Sequence, residues 1–147
     1  MQTVKILNLT KSFGKIRAVD SLSLDIEKGK ITGLIGADGS GKTTLIRLIT
    51  GLLIPDSGEI TVLGLNPAAQ KEELSTKIGY MPQKFGLYED LSIEENLQLY
   101  ADLKKLPYEF DELLEFTKLM PFKTRLAGAL SGGMKQKLGL ACALMIS

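Results

Sequence analysis

The sequence predicts an α/β fold, and three observations carry that prediction. Short segments with period-two patterning fill the first half of the chain. A glycine-rich loop over residues 36–43 joins an apolar run to an amphipathic one, and beyond Gln83 the pattern turns helical. Val4, Ile6 and Leu9 mark a first strand within 3–13, and Leu22, Leu24 and Ile26 mark a second within 18–27. A turn at Lys28-Gly29-Lys30 leads into Ile31-Thr32-Gly33-Leu34-Ile35, read as a third strand. A helix is expected from Gly41 or Lys42 to about Thr50, with Gly51 near its end. Pro55-Asp56-Ser57-Gly58 is a turn signal, and Glu59-Ile60-Thr61-Val62-Leu63 follows it as a strand. Asn66 to Lys77 reads as a loop with a short helix, and Ile78-Gly79-Tyr80-Met81 as a further strand ended by Pro82.

In the second half, Ser92-Ile93-Glu94-Glu95 is a capping box. The helix it opens carries Ile93, Leu97, Tyr100, Ala101 and Leu103-Lys104 along one face. A second helix is expected over 109–119, stopped by Pro121, and a third from near Ser131 to the last residue. There is no internal repeat and no low-complexity segment.

At 147 residues the chain suits one domain with a modest core. Hydrophobic residues make up 44% and charged residues 24%, an ordinary globular composition. A net charge of +1 gives no electrostatic case for nucleic acid or an anionic membrane surface. No apolar run is long enough to span a bilayer, so a membrane role would come through a partner. The single cysteine, Cys142, cannot form an internal disulfide and reads as core packing in a reducing compartment.

Gly36-Ala37-Asp38-Gly39-Ser40-Gly41-Lys42-Thr43 fits G-x-x-x-x-G-K-[ST] at every fixed position. Its glycines let the backbone wrap a polyphosphate with N–H groups inward, and the next helix presents its positive end to the same anion. Lys42 is expected to reach the β- and γ-phosphates, with Thr43 on Mg²⁺ and Thr44 beside it. The competing reading is a glycine-rich turn before a helix.

Leu130-Ser131-Gly132-Gly133-Met134-Lys135-Gln136 resembles the L-S-G-G-x-x-Q signature of ATP-binding cassette (ABC) ATPases. A serine and two glycines at a helix start make a second anion site, although plain capping accounts for that pattern when it stands alone. Paired with the upstream phosphate loop, the signature is specific. Gln83, in Tyr80-Met81-Pro82-Gln83, resembles the family's Q-loop glutamine, which implies contact with Mg²⁺ and the attacking water; the competing reading is a solvated turn residue. Phe13, in Lys11-Ser12-Phe13-Gly14, stands where cassettes stack an aromatic ring on adenine, and a core phenylalanine is its rival.

The resemblance narrows further. Gly79 to Leu91, Glu95-Asn96-Leu97 and Met134 to Ala141 look like ATPase subunits of bacterial ABC-2-type exporters, above all the first cassette of tandem multidrug-efflux ATPases. For Phe85, Leu87, Tyr88 and Leu91 the competing role is packing of the helical subdomain.

The resemblance implies a P-loop NTPase fold with an antiparallel β-subdomain and a helical subdomain over about 84–130. It implies ATP and Mg²⁺ as ligands, with Lys42 and Gln83 as catalytic groups. Gly36, Asp38, Gly39, Ser40, Gly41, Thr43 and Thr44 would bind nucleotide in cis, and Ser131, Gly132 and Gly133 would bind the nucleotide of a second cassette in a head-to-tail dimer. Transmembrane permease subunits would be the other partners, nucleic acid would not be one, and the location would be cytoplasmic at the inner face of the membrane.

Three departures stand out. Asp38 replaces a common asparagine, Lys137 stands where related exporters carry arginine, and the segment from Leu106 to Leu113 is short. The sequence ends at Ser147, before the region that supplies Walker B, the D-loop and a switch histidine in complete cassettes, and it holds no histidine. These 147 residues are accordingly expected to be a partial nucleotide-binding domain that folds poorly alone, without a cooperative thermal transition, and does not turn over ATP. A non-transport cassette in translation or DNA repair is the rival from another class; the short insert and neutral charge argue against it. A nucleotide-binding remnant without chemistry is the other.

Overall fold

The computed structural model describes residues 2–83 and 86–145. The chain divides into two units, Met1–Ser75 and Thr76–Ser147. No helix among the described residues is long and apolar enough to cross a membrane.

In the first unit, β1 (Gln2–Phe13), β2 (Ile16–Glu27) and β3 (Ser57–Val62) form an antiparallel sheet in the order β2-β1-β3. Val4 lies opposite Ile26 and Val62, and Ile6 opposite Leu24 and Ile60. Side chains alternate between faces along a strand, so Leu9 would fall on the face opposite Val4 and Ile6. A bulge restores the phase. Asn8 turns to φ 48°, a conformation asparagine tolerates, and both ladders shift register around it. Its N–H donates to Ser23 Oγ at 2.8 Å, so the interrupted ladder leaves no orphan there. Val4, Ile6 and Leu9 are all buried as a result. Gly58 fits against the bulge: it sits at φ +88°, and a Cβ there would lie 2.4 Å from the Asn8 carbonyl oxygen. Helix α1 (Lys42–Ile49) buries Leu45 and Leu48, and α2 (Lys71–Ser75) buries Leu74.

The two apolar runs read as strands, Ile31 to Ile35 and Ile78 to Met81, carry no regular structure. The reason is pairing. A strand exists through a neighbour's backbone groups, and among the described residues neither run has a ladder partner. Ile31 is 104% exposed and Ile35 96% exposed, so this composition has lost the burial that would reward it.

The second unit is helical. Helix α3 (Ile93–Lys104) starts on the expected capping box: Ser92 N–H donates to Glu95 Oε2 at 2.7 Å, and Glu95 N–H donates to Ser92 Oγ at 3.1 Å. Its buried face is Ile93, Asn96, Leu97 and Ala101. Leu103 does not belong to that face. Ten residues past Ile93 it has rotated off the stripe, and it is 70% exposed. Helix α4 (Asp111–Phe116) is shorter than expected because Thr117 Oγ1 donates back to the Leu113 carbonyl at 2.7 Å and Lys118 turns to φ 58°. A 3₁₀ turn, Met120–Phe122, absorbs Pro121. A second, Ala127–Ala129, leads to α5 (Gly132–Leu144), and the last residues of the expected helix, Ile146 and Ser147, lie outside the described residues. Leu97, Phe110, Leu114, Leu119, Leu138 and Cys142 are among the side chains that close the core. Burial pushes the Cys142 thiol up to about 12, which suits a packing residue.

Asn96 is completely buried, yet every polar atom is used. Its Oδ1 accepts from Tyr88 N–H at 3.0 Å, while Nδ2 donates to the carbonyls of Tyr88, Leu91 and Ser92 at 3.0, 3.2 and 2.9 Å. The loop of residues 88–92 is thereby tied to the second turn of α3. Losing this side chain would strand several buried backbone groups at about 1–3 kcal/mol each.

Hydrogen exchange on the intact chain should find slow amides in α3 and α5 and fast ones at Thr32–Ile35, because among the described residues only the former are hydrogen-bonded and covered. Slow exchange at Gly33–Ile35 would contradict the unpaired state of that run. Bonds from the Ser92 backbone N–H and side chain hold the Glu95 carboxyl below its ordinary 4.5. A depressed carboxyl stabilises fully above its unfolded value and loses that contribution as pH falls through the folded one. Helicity of α3, followed by amide chemical shifts, should therefore decline in acid below about pH 4.5, and Glu95→Gln should flatten the dependence.

Candidate functional site

The first unit carries the phosphate-loop candidates, at the junction of the glycine-rich loop with α1. Ser40 N–H donates to the Ala37 carbonyl at 3.2 Å, a tight turn that folds the loop over. Gly41 is the N-cap of α1 in a left-handed conformation, φ 91°, and has no side chain to cap the helix. The first N–H groups of α1 are left for an external acceptor, and no acidic residue occupies the first turn. Lys42 arches back over the loop. Its Nζ donates to the carbonyls of Gly36 and Ala37 at 2.7 and 2.6 Å and lies 3.4 Å from Ser40 Oγ. The ammonium thus sits at the mouth of the loop, where a phosphate would exchange for two carbonyl bonds.

Strand β2 backs this loop. A Cβ on Gly41 would lie 2.1 Å from the Ala18 carbonyl oxygen. Ala18 and Val19 line one wall of a cleft of about 330 Å³, with Gly36, Ser40, Gly41 and Lys42 on the other. Thr43 is exposed on the first turn of α1 and Thr44 is half-buried. A neutral hydroxyl oxygen at that point is a hard donor suited to Mg²⁺ held mainly by phosphates. Among the described residues no cluster of histidine, cysteine, aspartate or glutamate could hold a metal without such help. Asp38 and Gly39 are exposed on the loop.

Phe13 closes β1, opposite Ile16, and is 49% exposed. The core alternative for this ring is therefore wrong. Ala18 lies two positions along β2 from Ile16, about 7 Å of strand, so the ring and the loop are served by one short stretch of backbone.

The second unit carries the other candidates. Ser131 is the N-cap of α5 and accepts from Met134 N–H at 3.3 Å. Gly132 and Gly133 have ordinary negative φ, and a Cβ on either would meet nothing within 4 Å among the described residues. Neither backbone geometry nor packing against the described residues asks for glycine there. Gln83 is exposed and shares a small cleft with Glu89, Lys135 and Gln136. Lys135 Nζ binds Glu89 Oε1 at 2.7 Å, and that ammonium holds the Glu89 carboxyl below its usual range. Gly128 N–H donates to the Glu89 carbonyl at 2.9 Å, so the loop after Gln83 is also bonded to the approach to α5. Leu87 packs partly against the helical core, whereas Tyr88 is 51% exposed; Phe85 lies outside the described residues.

The sequence alone did not point to Lys11, Asp56, Asn96 or the Glu89–Lys135 pair. Asp56 read as one residue of a turn signal, and its partners lie 44 and 45 positions away, at Ser12 and Lys11. No local pattern announces such a contact.

Gly41→Ala should abolish tripolyphosphate binding measured by calorimetry, since the new Cβ would collide with Ala18 backbone and the conformation is strained for any L side chain. Gly133→Ala should leave the same binding within about twofold, because its Cβ enters open space.

Comparison with known proteins agrees with this geometry. The ABC transporter family profile matches residues 19–147. The chain is 59% identical over 133 residues to a probable multidrug ABC transporter ATP-binding protein, YbhF, of Escherichia coli (strain K12), covering 87% of this chain and 23% of that protein. It is 38% identical over 144 residues to the bacitracin transport ATP-binding protein BcrA of Bacillus licheniformis, covering 97% of this chain and 47% of that one. The chain thus spans less than half the length of either relative. A solved structure of an ATP-binding subunit of an ABC transporter superposes with a TM-score of 0.86 at 28% identity, over 98% of this chain and 62% of its own. The chain belongs to the ABC transporter family, and the relatives it resembles are ATP-binding proteins of that family.

Proposed function

We propose that residues 1–147 form part of a nucleotide-binding domain that holds ATP with Mg²⁺ and works within an exporter of drugs or other hydrophobic compounds. The observation that carries the reading is Lys42, folded over the loop with its ammonium 2.6–2.7 Å from two loop carbonyls. A cation poised at a glycine loop, in front of uncapped helix N–H groups, suits a polyphosphate better than any other small ligand. In this reading Lys42 and the loop from Gly36 to Thr44 hold the phosphates, and Phe13 stacks on the base. Thr43 and Gln83 serve Mg²⁺, which when bound neutralises charge on the phosphate oxygens.

Ser131, Gly132 and Gly133 would face the γ-phosphate of ATP held by a second cassette. The empty space around both glycines favours that role, since a surface kept bare within one chain is available to another molecule. The exposed Tyr88 and Gln83 would lie toward a transmembrane permease, with the domain at the cytoplasmic face of the membrane. The multidrug and bacitracin relatives support an export role. Within these residues there is no histidine to serve phosphoryl transfer, and the activity proposed for them is binding. The helical subdomain is taken as about 84–130.

Calorimetric titration with MgATP tests the reading. Binding is expected, with Lys42→Ala weakening it on the order of a hundredfold through loss of charge-assisted bonds. Thr43→Val should reduce the Mg²⁺-dependent part alone. A folded chain that ignores ATP would refute the proposal.

A further inference from the structure

Asp56 makes an arrangement that lies outside the phosphate loop and does more than extend the sheet. Strand β3 begins at Ser57, opposite Thr10, so β1 runs on past the end of its partner. The next inward-facing N–H of β1 on that side is Ser12, and the Asp56 carboxylate takes the place of the missing strand carbonyl. Oδ2 accepts from Ser12 N–H at 2.6 Å, while Oδ1 accepts from Lys11 Nζ at 2.8 Å. Asp56 N–H in turn donates to the Thr10 carbonyl at 2.9 Å. Three successive residues of β1 are thus held by one aspartate. Phe13 is the next residue, the last before the hairpin turn at Gly14. The held ammonium stands 5.8 Å from the centre of the Phe13 ring, within range of a cation–π contact. Lys11 is mostly buried against its surroundings, with 18% of its side chain exposed, while the ring is half exposed.

We infer that Asp56 and Lys11 are positioning residues for base recognition: the carboxylate fixes the end of β1 and the ammonium steadies one side of the Phe13 ring, leaving its open part to stack on a purine. The inference rests on the proposed role of Phe13 and extends it to two residues that would not touch the nucleotide. A ring at a free hairpin end would lose rotamer freedom when a base lands on it; a ring already braced loses less, and binds better for that reason. The Lys11 contribution weakens if the carboxylate is removed, because the ammonium is then free to swing into water. Asp56 is held ionised by the Lys11 and Ser12 bonds, below the ordinary 3.8, so the clamp is intact at neutral pH.

The test compares MgATP with inorganic tripolyphosphate, titrated calorimetrically into the full 147-residue chain and its variants. The readout is the ratio of the two affinities, which isolates the base. Phe13→Ala should lower that ratio about tenfold, by loss of stacking. Asp56→Ala and Lys11→Met should lower it about threefold while leaving tripolyphosphate affinity within about twofold. Asp56→Ala added to Phe13→Ala should have no further effect on the ratio, and Lys11→Arg should preserve it, since guanidinium also pairs with carboxylate. A ratio unchanged in Lys11→Met and Asp56→Ala, or an equal loss for both ligands, would overturn the inference and leave the pair as a brace of the sheet. If Asp56→Ala does not fold, Lys11→Met decides, because it keeps the Ser12 bond. A wild-type ratio near one, or no effect of Phe13→Ala, would instead refute the base-stacking role itself.

Discussion

The demand of backbone groups for partners governs this chain more than any single side chain. Strand β1 satisfies it twice, bonding to β2 on one edge and β3 on the other, and everything placed in the first unit is placed relative to it. The Asn8 bulge keeps the apolar face continuous through a change of phase, Gly58 fits onto that bulge, and β2 delivers Ala18 to the back of the phosphate loop. Where the same demand goes unmet, composition has no authority. Ile31 to Ile35 is as strand-like in residue type as any part of the sheet, yet it has no regular structure.

That contrast explains what was legible in the sequence. The phosphate loop, the capping box at Ser92 and the N-cap at Ser131 are local devices: a few adjacent residues satisfy one another, so their order along the chain is enough. Strands β1 and β2 were readable for a similar reason, since their alternation lies within each segment. The two apolar runs were misread because pairing is a property of two segments and the sequence displays one at a time. Helix α4 ended early through a side-chain bond from Thr117 to its own backbone, a competition that periodicity does not register. Leu103 was assigned to a buried face from its neighbours' character, when its rotation about the helix axis already excluded it.

In the candidate site, the motif residues were legible and their supports were not. Lys42, Gly41 and Ser131 announce themselves by type and spacing. Asp56, Lys11 and the Glu89–Lys135 pair act across dozens of residues, and each is an ordinary surface charge in the sequence. Asn96 is the clearest instance: a polar residue on an apolar helix stripe looks like an interruption, and is instead the anchor of a loop through four hydrogen bonds. Exposed ion pairs contribute little to stability taken singly. What these contribute is placement, since each joins a motif-bearing element to a segment distant in sequence.

The helical core also contains its own gauge. Cys142 is the only cysteine in the chain, is fully enclosed, and has its thiol raised to about 12. Alkylating reagents attack thiolate, so a closed core gives them almost nothing to react with. Each opening that lets water reach α5 would restore an ordinary thiol for as long as it lasts. The rate of labelling at this one sulfur therefore counts those openings directly, without a probe having to be introduced.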